Sequence, residues 1–316
     1  MPKKIAKSGF RNWKPNRLPD LTGKTYLITG GNSGIGFEAA KHIGNAGGNI
    51  IIAARNPEKA DRAVEALKPL VKSSVEHVTL DLADLSSVRS AAEDVRGRVA
   101  HIDALINNAG IMQTPQLQTA DGFEMQIGTN HLGHFLFNGL LFDLVEKASG
   151  RIVTVSSIAH KYGRMYLDDL MMTKTYSPTY AYGQSKLANL LYALELDRRL
   201  KASGSKVTSY ACHPGYSDTS LQSTGPRGFW NGMYKITNAL MAQPAAKGSI
   251  PTVLCATGTE AVPGAYYGPT GMGEMRGPVS DALVSEKALI EADAANLWDQ
   301  SEALVGFSWE DVLPAT

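Results

Sequence analysis

From Lys24 onward, short apolar runs alternate with stretches of helical periodicity. Thr25–Thr29 ends at a glycine cluster and predicts a first strand, followed by a helix over 34–46. Asn49–Ala54, reading NIIIAA, has the continuous apolar run of a strand covered on both faces. Pro57 suits the first turn of a helix running to 70, and a third strand is predicted over 75–80. Asp84 is placed to cap a helix ending near 99, and 102–106 reads as a fourth strand. A long helical region is predicted over 119–147, with Asp121 and Gly122 near its start. Arg151–Val155, a helix over 178–200 and a strand over 206–211 continue the series. The stretch 215–243 has no clear periodicity, and beyond it come a helix over 245–256, a strand over 264–267 and a helix over 292–304. This alternation predicts an α/β fold with a parallel, doubly wound sheet. No linker interrupts 21–316, so one domain is expected there, preceded by a basic arm over 1–20.

Composition narrows the class. With 316 residues, 43% hydrophobic and 19% charged, the chain can bury a large core. A net charge of +1 offers no overall field for nucleic acid or acidic membranes, and no nucleic-acid partner is expected. The most apolar helical stretch, 131–145, is interrupted by Gly133, His134, Asn138, Gly139 and Asp143, so it predicts a buried helix and no transmembrane segment. Cys212 and Cys255 lack metal-ligand spacing and fit buried small hydrophobes in a reducing, cytoplasmic setting. His131, His134 and His160 also lack partners at such spacing, so no metal is expected. The arm carries Lys3, Lys4, Lys7, Arg11, Lys14 and Arg17 against Asp20, with no apolar core of a secretory signal. A mobile or surface-draped tail is expected, contact with an anionic surface being the alternative.

The first candidate chemistry lies where the first strand meets its helix. Gly30, Gly34 and Gly36, with Asn32, Ser33 and Ile35 between them, permit a tight turn and close backbone approach to a pyrophosphate at a helix N-terminus. An NAD-preferring site places an acid at the end of the second strand. Here Ala53-Ala54-Arg55-Asn56 stands instead, and Arg55 suits a 2′-phosphate, so NADP(H) is the expected cofactor. Further on, Tyr182 and Lys186 in Y-G-Q-S-K share one helix face at i and i+4, where a cation can draw down a phenol's pKa. Alone, such a pair is as readily a solvated helix surface.

The spacing T-G-x-x-x-G-x-G, together with Asn107-Asn108-Ala109-Gly110, resembles the short-chain dehydrogenase/reductase family, whose fold is a Rossmann-type sheet. The resemblance implies that Asn107 and its neighbours steady the central sheet, and that Asn108, Ala109 and Gly110 border the cofactor. It also implies that Asp81 and Leu82 lie against the adenine. Ser157, matching better than Ser156, is the implied catalytic serine, and Asn130 the implied anchor of a proton-relay water. Pro214 and Gly215, after His213, with Thr219 downstream, are similar to the family's nicotinamide-side loop. The interval from Ser157 to Tyr182 exceeds the family's usual one, and this insertion resembles the retinol dehydrogenase and protochlorophyllide reductase branch.

The expected reaction is hydride transfer between NADP(H) and the carbonyl or alcohol of a lipophilic small molecule. Tyr182 would exchange the proton, Lys186 would lower its pKa and hold the ribose, Ser157 would polarise the carbonyl and Asn130 would hold the relay water. The expected substrate wall is Tyr162, Met165 and Tyr166 with Phe229, Trp230, Met233, Tyr234, Leu240 and Met241, unless these pack a lid or a homo-oligomer interface. An NAD-dependent alcohol dehydrogenase of the same fold, a sugar-nucleotide epimerase or dehydratase, and a silent dinucleotide sensor are the alternatives.

Overall fold

The computed structural model describes residues 2–217 and 243–314. Its strands are β1 (Thr25–Thr29), β2 (Asn49–Ala54), β3 (Val75–Thr79), β4 (Ala104–Asn107), β5 (Arg151–Val155), β6 (Thr208–Cys212), β7 (Tyr266–Gly271) and β8 (Arg276–Asp281). They form one sheet in the order β3-β2-β1-β4-β5-β6-β7-β8. Neighbours are parallel from β3 through β7, whereas β8 returns antiparallel to β7. The order reverses between β1 and β4, and the crevice at the C-terminal strand ends there is where such sheets take ligands. The doubly wound α/β expectation holds.

Alternation along each strand sorts the core into two layers. Tyr26 and Ile28 of β1 face one layer and Leu27 the other. The first layer is closed by α1 (Gly34–Asn45), α2 (Pro57–Leu67) and, later in the chain, a helix at Ile250–Thr257. The second is closed by α3 (Leu85–Arg98), α4 (Gly133–Leu140), α5 (Phe142–Lys147) and α6 (Pro178–Ala202). Ile250–Thr257 is then α7, and α8 (Glu291–Val305) brings Trp298 against Phe135 and Tyr192.

The expected helix over 119–147 is corrected. Gly122, at φ +83°, turns the chain so that Gln118 bridges Glu124, and helix begins only at Met125. The Glu124 carboxylate caps it by accepting from the amides of Gln126 and Ile127. A π-helical turn follows at Gly128–Leu132, and Leu141 separates α4 from α5. The helix expected over 57–70 ends at Leu67 and tightens into a 3₁₀ turn containing a proline, Lys68–Leu70. That expected over 245–256 divides at Ser249 ahead of Pro251. Strand β8 was not foreseen, because Gly277 and Pro278 hide its pattern.

The N-terminal segment is fixed along β8 and the chain after it. Lys3 bridges Val284, Trp13 bridges Val279, and the Trp13 side chain is fully buried. Ser8 Oγ donates to Asp281 Oδ1 at 2.6 Å. The mobile alternative for the tail therefore fails: its apolar residues pack inward while Lys3, Lys4, Lys7, Arg11, Lys14 and Arg17 stay exposed. No helix among the described residues is long and apolar enough to cross a membrane.

Candidate active site

The glycine loop after β1 is shaped by backbone alone. Gly30 and Gly34 hold φ of +66° and +55°, which side-chain-bearing residues rarely adopt. At Gly36 a Cβ would lie 2.6 Å from the Gly30 carbonyl oxygen and 2.5 Å from Asn108 Nδ2. Thr29 Oγ1 accepts from the amides of Asn108 and Ala109 at 2.9 and 3.0 Å, and Asn108 Nδ2 donates to the Thr29 carbonyl at 2.8 Å. The ends of β1 and β4 are thus locked together around the loop. The first turn of α1, from Gly34 through Gly36, begins at this loop without a side-chain cap. A cradle that a single methyl group would fill fits a pyrophosphate approached by backbone.

Arg55 follows β2 with its side chain 74% exposed and its Nε 3.9 Å from Asp81 Oδ2. The guanidinium is therefore only loosely held and can meet an anion. Asp81 Oδ1 accepts from the amide of Ala83, and Leu82 is buried with its carbonyl packed on Gly133. Asn107 points into the sheet, its Nδ2 3.4 Å from Thr154 Oγ1.

Across the crevice, α6 carries the tyrosine–lysine pair, opened by Ser177, whose hydroxyl accepts from the Tyr180 amide, and by Pro178 in the first turn. The Ser157 hydroxyl, just after β5, neighbours the Tyr182 phenol and accepts from the Ala159 amide at 3.2 Å. Ser156 instead donates to the Lys186 carbonyl at 2.6 Å, so of the two serines Ser157 faces the phenol. Burial raises the Tyr182 phenol above its ordinary value, and the neighbouring Ser157 hydroxyl pulls it back in part. The expected lowering by Lys186 is not among the causes acting on the phenol here; the ammonium donates to the Val155 carbonyl at 3.1 Å. Burial brings Lys186 itself down to about 8.

Asn130 sits in the π turn, a distortion that often marks function. Its Oδ1 accepts from the Ile111 amide at 2.8 Å, and its Nδ2 donates to the Ile111 carbonyl and to Ser185 Oγ, both at 2.9 Å. Ser185 in turn donates to the Tyr182 carbonyl at 2.9 Å. A Cβ on Gly110 would lie 3.1 Å from Asn130 Oδ1 and 3.4 Å from Lys186 Nζ, so these three residues meet at one point. Ser185 was missed as a positioning group, although the Y-G-Q-S-K string contains it. Tyr266 and His160, which approach the Ser157 carbonyl from β7 and from the turn after β5, carry no local signal in the sequence.

Gly215 has φ +71° and donates its amide to His213 Nδ1 at 3.1 Å, while Pro214 accepts from Gln243 Nε2. Thr219 and the expected wall residues Phe229, Trp230, Met233, Tyr234, Leu240 and Met241 lie outside the described residues. Of the remaining wall residues, Tyr162 is 45% exposed, Met165 packs in part on the core below α6, and Tyr166 lies under the Arg164 guanidinium. No group of three or more metal-ligating side chains gathers among the described residues.

This crevice is that of a dinucleotide-dependent oxidoreductase on a doubly wound sheet. Residues 24–227 match the model of the short chain dehydrogenases, and the chain belongs to that family. Its similarity runs to Retinol dehydrogenase 11 of Mus musculus, 38% identical over 292 residues that cover 90% of this chain and 87% of the relative. Retinol dehydrogenase 13 of Homo sapiens is 39% identical over 301 residues, covering 90% and 86%. The chain therefore falls in the retinol dehydrogenase-like branch. A solved structure of an uncharacterised protein from Mycobacterium paratuberculosis is 39% identical, covers 94% of this chain and 99% of its own, and superposes with a TM-score of 0.79. The Pseudomonas aeruginosa RhlG/NADP complex shares the fold at a TM-score of 0.62 and 21% identity, over 78% of this chain and 94% of its own.

Proposed function

We propose that the protein transfers a hydride between NADP(H) and the carbonyl or alcohol carbon of a lipophilic small molecule. The observation that carries this is the meeting of the Ser157 hydroxyl and the Tyr182 phenol at the crevice, one turn of α6 from a buried Lys186. Ser157 polarises the substrate oxygen and Tyr182 gives it, or takes from it, the proton. Lys186 supplies positive charge beside that exchange, and Asn130 holds the water through which the proton reaches solvent. The dinucleotide, when bound, supplies the hydride. Its pyrophosphate would rest on Gly30 and on Asn32, Ser33, Gly34, Ile35 and Gly36. Its adenine would lie by Asp81 and Leu82, and its nicotinamide side by Asn108, Ala109, Gly110, Lys186, Pro214, Gly215 and Thr219. Arg55, with no acid beside it on β2, favours the 2′-phosphate of NADP(H). The exposed ring of Tyr162 and the apolar composition of 222–242 favour a lipophilic substrate.

The test follows NADPH absorbance against a panel of aliphatic aldehydes, ketones and alcohols for wild type and Tyr182→Phe. Wild type is expected to turn over the apolar members. The variant should lose activity by about 100- to 10,000-fold while its NADPH affinity stays near wild type. Undiminished turnover by Tyr182→Phe, or no turnover by wild type with any panel member, would overturn the proposal.

A further inference from the structure

Between the glycine cradle and Asn130 lies a fully buried imidazole, His134, the second residue of α4. Its Nε2 is 2.8 Å from Thr29 Oγ1, and its Nδ1 is 3.1 Å from the Asn130 carbonyl oxygen. Counting protons fixes its form. Thr29 Oγ1 already accepts from two amides, those of Asn108 and Ala109, so both of its lone pairs are taken. Its one hydroxyl proton can go to His134 Nε2 at 2.8 Å or to the Ile106 carbonyl at 3.3 Å. A proton on Nε2 would make a third donor aimed at Thr29 and would leave a bare Nδ1 facing the Asn130 carbonyl, two acceptors in opposition. The opposite assignment satisfies every atom: Thr29 donates to Nε2, and Nδ1–H donates to Asn130.

We propose that His134 is a positioning residue of this site: its Nδ1-protonated imidazole joins the Thr29 hydroxyl, under the glycine cradle, to the Asn130 carbonyl beside Lys186. The cradle and the proton-relay asparagine are thereby set by one rigid ring rather than by two independent loops. The ring works only while neutral, since an imidazolium would force the Thr29 hydroxyl to accept a third proton. Its titratable neighbours are Lys186 from α6 and His131 one turn earlier; burial first, opposed by the Asn130 bond and aided by the Lys186 charge, holds the imidazole down, to about 3. The joint therefore persists across the neutral range. Its kinetic consequence rests on the hydride-transfer role proposed above; its tautomer does not.

Two substitutions separate the two bonds. His134→Asn keeps an N–H near the place of Nδ1 and so the Asn130 bond, but cannot reach Thr29. His134→Gln keeps an acceptor near the place of Nε2 and so the Thr29 bond, but releases Asn130. For the Asn variant, NADPH affinity by fluorescence titration should weaken about tenfold with kcat near wild type; for the Gln variant, kcat should fall about tenfold and its pH profile should move while NADPH affinity holds. Nitrogen-15 NMR of the imidazoles at pH 7, assigned by the line that vanishes in the Gln variant, should show a protonated Nδ1 and a bare Nε2. A protonated Nε2 or an imidazolium would overturn the proposal. So would variants that lose thermal stability alone, with affinity, kcat and pH profile unchanged. Should wild type turn over nothing, the hydride-transfer role fails, and the NMR and titration results still decide His134.

Discussion

The two sides of the crevice hold their functional groups by different means. On the β1–β4 side the work is done by main chain: left-handed glycines, amides gathered on Thr29, and a helix start with no room for a methyl group. On the β5–β8 side it is done by buried side chains from distant segments. Tyr266 and His160 stand behind Ser157, and Glu274 of the β7–β8 turn accepts from Lys161 Nζ at 2.6 Å and from the Leu283 amide at 2.7 Å. The difference is one of vulnerability. A backbone-built site is sensitive first to added volume, whereas a network of buried polar side chains is sensitive to protonation and to the loss of any one partner.

Acid should expose the second weakness with the largest effect. Burial holds His131, His134 and His213 down to about 3 and His160 to about 4. Half-buried His42 is shifted the same way. Each folded-state value lies below the unfolded one, so the unfolded chain binds more protons as pH drops below about 6.5. Stability is therefore full above that pH and is lost on the way down toward the folded values, on the order of 1 kcal/mol per buried histidine per pH unit. The depressed carboxylates, such as Asp84 and Asp143, add their loss only lower in the scale. Urea midpoints at pH 7 and pH 5 check this. A midpoint that does not fall would mean that these imidazoles are not held neutral.

Gly36→Ala probes the first weakness. The new Cβ would meet a backbone carbonyl, that of Gly30, and an amide nitrogen already pinned to the Thr29 carbonyl, so neither can yield cheaply. Overpacking of this kind costs about 1–3 kcal/mol, and NADPH affinity should fall about 100-fold at the upper end. Gly97→Ala on the exposed face of α3 is the control, since nothing lies within 4 Å of its Cβ. That variant should bind normally and melt no lower than wild type. Equal affinities for the two variants would break the contrast between the two sides.

The same division decides how much was legible in the sequence. Gly30, Gly34 and Gly36 announce themselves because main-chain geometry demands glycine at fixed spacing, and the Tyr182/Lys186 pair because one helix face carries both. The central parallel strands β1, β2, β4 and β5 were legible from apolar runs, since they are covered on both faces, whereas the edge strand β3 alternates buried with exposed positions. The π turn holding Asn130 was not, because nothing in a helical pattern distinguishes an i→i+5 turn from an i→i+4 one. Nor was Glu274, a carboxylate at φ +69° in a turn, whose partners Lys161 and Leu283 come from other parts of the chain. The raised Tyr182 phenol shows the same limit. Spacing put a cation within reach, but burial, which spacing does not show, sets the direction of the phenol's shift.

The smallest expected effect is also the sharpest test of the side-chain half. The Lys161–Glu274 pair is lopsided, its lysine side chain 25% exposed and its glutamate 6%. Glu274→Gln removes the buried charge, keeps an oxygen for the Leu283 amide, and frees an ammonium that can turn to water. That should cost about 1 kcal/mol. Lys161→Met keeps the charge inside and removes its cation, leaving a buried carboxylate with the Leu283 amide as its remaining donor at hydrogen-bond distance. That should cost about 3 kcal/mol. The double variant has neither an unpaired buried charge nor a stranded ammonium, so it should be more stable than Lys161→Met alone. Denaturation midpoints of the three variants give the order directly. If Glu274→Gln proved the more damaging single change, the pair would be acting through something other than desolvated charge, such as the approach of His213 Nε2, 3.9 Å from Glu274 Oε2.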